Sequence, residues 1–137
     1  LDELHKSFAT LTQEEQKYAN IFLHDIQNGD VIVDEGKTLR NYITEYMTSA
    51  KNDQIHRFAT AIGVDETILR SFMQSKITEA NINEFGKFDT LKASVDQEKA
   101  KAFLEMMEGK PIKRFQINMK IDQMLRRFIL EGGFDIT

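Results

Sequence analysis

The chain has no cysteine, no tryptophan and a single proline, Pro111, among its 137 residues. Without thiols it has no disulfide, no thiolate nucleophile and none of the common structural zinc sites, so stability has to come from packing. With one proline, helices can run for long stretches uninterrupted. Apolar runs are short: none approaches the roughly 18 residues of a spanning helix, so no membrane partner is expected. The opening residues 1–8 show neither the charged start nor the apolar stretch of a signal peptide. With Leu1 in place of Met, they read as the start of a piece cut from a larger, cytoplasmic protein.

Ten Phe and six Met supply the bulk for a helical core, whereas a β-sandwich would need more Val, Thr and turn residues. The expectation is a single all-α domain over residues 1–137, several short helices with a short extended segment before the last. A net charge of -4 speaks against a wholly nucleic-acid-binding surface and leaves room for a local basic patch.

Thr12 with Glu15 three residues on is a capping-box signature, and Tyr18, Ala19, Phe22 and Ile26 follow at helical spacing up to Asn28 and Gly29. Val31, Ile32 and Val33 break the period and read as a short extended stretch laid across the core. A second helix, with Leu39, Tyr42, Ile43, Tyr46 and Met47 on one face, should end near Asn52. Asp53 would cap a third through Ile55, Phe58, Ala59 and Ile62 to Gly63, and Asp65 a fourth bearing Ile68, Leu69, Phe72 and Met73. Thr78 would start a short helix through Ile82 and Phe85 to Gly86. Asp96 caps a helix with Ala100, Phe103, Leu104 and Met107, stopped by Gly109 and Pro111. Residues 112–117 partly alternate and read as extended. Ile117, Ile121, Met124, Leu125 and Phe128 then form a final helix ending at Gly132 and Gly133.

Catalytic signatures are missing. His5, His24 and His56 are far apart and none lies in a HExxH pair, and no phosphate loop, dinucleotide fingerprint or nucleophile elbow occurs. Asp34-Glu35-Gly36-Lys37 imitates the acid and lysine of metal-dependent nucleases. Such a site also needs a distant carboxylate held by a sheet, and Glu108-Gly109-Lys110 fits the pattern equally well. The expectation is no catalytic residue, no metal ligand and no cofactor-binding residue here.

Two patterns point to nucleic acid. Residues 55–74 have helix-turn-helix spacing, with Ala59 small, Gly63 in the turn, Val64 after it and Leu69 inside the second helix. Asp65 and Glu66, however, stand where a reading helix approaches phosphate, with only Arg70 to offset them. The stronger pattern is the basic C-terminal quarter: Lys110, Lys113, Arg114, Lys120, Arg126 and Arg127, diluted by Asp122. These six are the expected contacts to DNA backbone. The competing reading is a solvated helix face with cations near a helix C-terminus.

The string Arg114-Phe115-Gln116-Ile117-Asn118-Met119-Lys120-Ile121-Asp122, continued by Leu125-Arg126-Arg127-Phe128-Ile129-Leu130-Glu131-Gly132-Gly133-Phe134-Asp135-Ile136, resembles the extreme C-terminus of the restriction (R, motor) subunit of type I restriction-modification enzymes. Leu11-Thr12-Gln13-Glu14-Glu15-Gln16-Lys17-Tyr18-Ala19 and Phe22-Leu23-His24-Asp25-Ile26 are similar to the start of the same region. The likeness runs from Leu11 onward and looks nearest to an IC-type enzyme of Escherichia coli. It implies a parent protein that is an ATP-dependent type I site-specific deoxyribonuclease, with ATP and Mg2+ bound in parts outside these residues. It also implies a C-terminal appendage that docks on the modification and specificity (methyltransferase) subunits, adjoins the rest of the motor subunit and helps to hold double-stranded DNA. The alternative from the residues alone is a helix-turn-helix DNA-reading module.

Overall fold

Capped, proline-poor segments produce helices throughout. The computed structural model describes residues 8–83 and 86–136, and no strand occurs among them. The all-α expectation therefore stands; His5 and Phe85 lie outside the described residues. The helices are α1 (Gln13–Gln27), α2 (Leu39–Ile62), α3 (Glu66–Gln74), α4 (Lys87–Ser94), α5 (Gln97–Glu108) and α6 (Ile117–Leu130), with a 3₁₀ turn at Arg114–Gln116. They build two compact units, Leu1–Asn52 and Asp53–Thr137.

In the first unit the capping box is complete: the Glu15 N–H donates to the Thr12 hydroxyl at 3.2 Å, and the Thr12 N–H donates to the Glu15 carboxylate at 3.1 Å. The backbone bond from Thr12, then its hydroxyl contact, holds the Glu15 carboxyl below its usual range. Buried Phe22 stacks on Tyr42 at 4.2 Å between centroids and meets Tyr46 edge-on at 5.9 Å. The Tyr46 hydroxyl donates to Asp25 at 2.8 Å. Burial, reinforced by that bond, pushes the Tyr46 phenol up to about 12.

Two expectations fail here. Val31, Ile32 and Val33 do not cross a core: Ile32 is 90% exposed and Val33 52%. Polar groups tether the segment instead, with the Asp34 N–H on the Tyr42 hydroxyl oxygen at 2.7 Å and the Gly36 N–H on the Asp34 carboxylate at 3.0 Å. Nor does a helix end near Asn52, since α2 runs unbroken from Leu39 to Ile62. Asp53 is an interior residue paired with Arg57, 3.9 Å away, and not a cap. No glycine or proline separates Thr38 from Gly63. The stripe of Leu39, Tyr42, Ile43 and Met47 is out of phase with that of Ile55, Phe58, Ala59 and Ile62, and this imitates a break.

The second unit is centred on phenylalanine. Phe58 stacks on Phe128 at 4.1 Å and meets Phe103 and Phe134 edge-on at 5.4 and 5.2 Å. Ile62, Leu69, Phe88, Leu91, Ala100 and Leu125 complete a fully buried interior. The α2–α3 turn needs glycine. Gly63 has φ +72, a Cβ there would stand 2.9 Å from the Asp96 Cβ, and the Asp96 N–H reaches the Ile62 carbonyl at 2.9 Å. Asp65 and Asp96 cap α3 and α5 as the sequence indicates.

The helix expected from Thr78 to Gly86 is replaced by turns over residues 79–83, because the Asn81 side chain accepts the Thr78 N–H at 2.8 Å and competes with helix formation. The helix begins only after Gly86, and α4 buries Phe88 and Leu91. Before α6 the non-helical backbone covers residues 111–113, shorter than the expected 112–117. The Gln116 N–H turns back to the Lys113 carbonyl at 2.9 Å, so the chain is already winding three residues before α6.

Candidate nucleic-acid interface

Gly109, in the left-handed conformation at φ +69, ends α5, and Pro111 prevents its continuation. Ile112 is then buried, its N–H donating to the Glu105 carboxylate at 3.1 Å, and buried Ile117 starts α6. Pinned at both ends, the connection presents Lys110, Lys113 and Arg114 to solvent. Among the described residues these three cations have no carboxylate partner.

The other three expected contacts are engaged. Lys120 binds both oxygens of Glu108 at 2.8 and 3.0 Å. Arg126 donates to Asp122 at 2.6 Å, lies 3.6 Å from Glu79 and covers the face of Phe88 with its guanidinium carbon 4.7 Å from the ring centre. Burial opposes ionisation of Asp122, yet hydrogen bonds from Lys92, at 2.9 Å, and Arg126 hold its carboxyl below the usual range. Arg127 meets Glu131 at 3.3 Å with both side chains mostly exposed. Such a surface pair contributes little to stability, yet a phosphate has to displace Glu131 before it takes up the guanidinium. The basic quarter therefore divides into a free trio within residues 110–114 and three side chains already neutralised.

The helix-turn-helix residues 55–74 form two helices joined at Gly63, with Ala59, Val64 and Leu69 buried as their spacing predicts. Their electrostatics disfavour phosphate. Asp65 is the N-cap of α3, accepting from Thr67 and Ile68, and Glu66 at its start bonds His56 at 2.9 Å and Arg70 at 3.0 Å. Those two bonds, the one from His56 first, keep the Glu66 carboxyl below its usual range. Arg70 thus faces an acid of its own helix.

Lys37 of the Asp34-Glu35-Gly36-Lys37 segment turns to Glu45 at 2.9 Å, a bond that raises its pKa, while Asp34 closes its own turn. Among the described residues no group of three or more His, Asp or Glu side chains could hold a metal ion. No helix of the described residues is long and apolar enough to cross a membrane.

Sequence reasoning missed the exposed apolar side chains. Phe115 is 79% exposed and Met119 54%, both close in sequence to the free trio, and Ile32 projects from the first unit. The available signal was phase: Phe115 and Met119 fall off the Ile117, Ile121, Leu125 stripe that α6 buries.

No curated protein and no solved structure matches the chain. A family model does: that of the C-terminal region of the R subunit of type I restriction and modification enzymes matches residues 1–128. Spanning nearly the whole sequence, this match shows that the chain belongs to the family of C-terminal domains of type I restriction enzyme R subunits.

Proposed function

We propose that residues 1–137 act as one non-catalytic module in the cytoplasm, docking the R subunit on the modification and specificity subunits and neutralising the DNA backbone without reading bases. The parent would be the ATP-dependent endonuclease and translocase, with ATP and Mg2+ held in its other domains.

The observation that carries the DNA role is the trio Lys110, Lys113 and Arg114, held outward by the buried anchors Ile112 and Ile117. Unpaired cations on a pinned backbone meet phosphate without first breaking an internal ion pair, and backbone contacts of this kind carry no sequence information. The assembly role draws on family membership and on Ile32 and Val33. Such exposed β-branched side chains fit an apolar recess on the methyltransferase subunits, where burial returns roughly 1.5–3 kcal/mol per side chain.

Deletion of this region from the R subunit tests the reading, with pull-down by the methyltransferase and restriction of unmodified DNA as readouts. Both should be lost while the remainder of the protein stays folded; normal assembly by the truncated protein would contradict the docking role. The helix-turn-helix alternative makes a different forecast: Arg70→Ala with Gln74→Ala would reduce sequence-selective binding, whereas backbone contact through residues 110–114 leaves it unaffected.

A further inference from the structure

We propose that Phe115, with Lys110, Lys113 and Arg114, forms a stacking platform for unpaired nucleotides of a single DNA strand. This deepens the backbone-contact reading and rests on it.

Phe115 differs from the other described phenylalanines that the second unit packs. Phe58, Phe72, Phe88, Phe103, Phe128 and Phe134 lie against one another's rings, whereas Phe115 is 79% exposed with no ring beside it among the described residues. Its exposure is built in. The 3₁₀ turn Arg114–Gln116 fixes the backbone, with Ile112 buried and bonded to Glu105 before it and Ile117 buried after it. The backbone beneath the ring is thereby fixed, and only the ring's own side-chain torsions remain to be ordered on stacking. Met119, four residues on and 54% exposed, extends the apolar ledge.

Charge selects the occupant. Three cations without acidic partners among the described residues, with Arg114 adjoining the ring in sequence and Lys113 just before it, favour a polyanion that also carries flat apolar faces. A single nucleic acid strand has both, and stacking on an aromatic side chain tolerates any base. A duplex does not use the ring, because its bases are stacked on each other and exposing one costs a few kcal/mol. Phosphates therefore fall to Lys110, Lys113 and Arg114, and a base to Phe115.

The absence of tryptophan from the chain makes Phe115→Trp a single fluorescent reporter. Oligo(dT) should quench it strongly, while a duplex of equal length, bound as judged by anisotropy, should not. Phe115→Ala and Phe115→Leu should each weaken oligo(dT) binding by about tenfold, within the range for loss of one stacked base. Phe115→Tyr should retain the affinity, and duplex affinity should stay within about twofold throughout. Equal behaviour of Leu and Tyr, or equal loss on both DNA forms, would overturn the platform. If Lys113→Glu with Arg114→Glu abolishes duplex binding while Phe115→Ala leaves oligo(dT) binding intact, backbone contact survives and the stacking role does not. If neither has an effect, both readings fail. Loss of methyltransferase capture by Phe115→Ala with all DNA binding intact would make the ring a protein contact instead.

Discussion

Replacing Lys113 and Arg114 together by alanine should flatten the salt dependence of duplex binding by an amount that follows from counting free cations. Each phosphate contact contributes about -0.9 to the slope of log affinity against log salt on B-DNA. The trio Lys110, Lys113 and Arg114 gives a slope of about -2.7, so affinity falls about 40-fold between 50 and 200 mM salt. Engagement of all six basic residues would give about -5.4 and a fall of about 1,800-fold. The double alanine variant leaves Lys110 alone, with a slope near -0.9 and a fall of about 3.5-fold. Lys120→Ala should change the slope little, because that ammonium is held by both oxygens of Glu108. Fluorescence anisotropy of a labelled duplex over four salt concentrations suffices as the assay. A native slope near -5.4, or one that the double alanine variant leaves unaltered, would refute the division into free and neutralised cations.

Gly63→Ala should destabilise the second unit by about 2 kcal/mol in urea unfolding, since it combines a left-handed backbone with a methyl against the Asp96 Cβ. Phe58→Ala should cost about 3–5 kcal/mol in the same assay, removing the ring that joins Phe103, Phe128 and Phe134. Tyr46 has its folded pKa raised from 10.0 to about 12, so its contribution to stability is complete below pH 10 and disappears as pH rises through 12. Ultraviolet titration should show a phenol ionising near 12 that Tyr46→Phe eliminates; its ionisation near 10 would mean that the phenol is neither buried nor bonded to Asp25. Glu66 and Asp122 are depressed, so the stability they contribute is present above their ordinary values of 4.5 and 3.8 and is lost as pH falls through the folded values. Asp122→Asn should make thermal unfolding less sensitive to acid.

What was legible in the sequence was what local chemistry dictates. The Thr12 capping box, the caps Asp65 and Asp96, the glycine turn at Gly63 and the stripe of α6 each depend on residues within one or two helical turns. Most errors arose where packing decides, and one, at Thr78, where a side chain three residues on competes with the helix. Asn52 and Asp53 read as a boundary because the apolar stripe changes phase along α2, a change that shows how the helix packs and not where it ends. Thr78 read as a cap, whereas Asn81 captured its N–H for a turn. At the candidate site, the six cations could be named from the sequence but not sorted. Their division depends on pairings such as Lys120 with Glu108, twelve residues away, and Arg126 with Glu79, 47 residues away, which spacing does not reveal. Ile32 read as part of a stretch across the core and Phe115 as part of the phenylalanine bulk, whereas both side chains are exposed.

The most direct test of DNA contact through the α5–α6 connection is a backbone amide NMR titration of the chain with a short duplex. The account predicts that the shift changes concentrate at residues 109–115 and are reproduced by duplexes of unrelated sequence. Changes centred on α3, or dependent on duplex sequence, would contradict it and favour the helix-turn-helix.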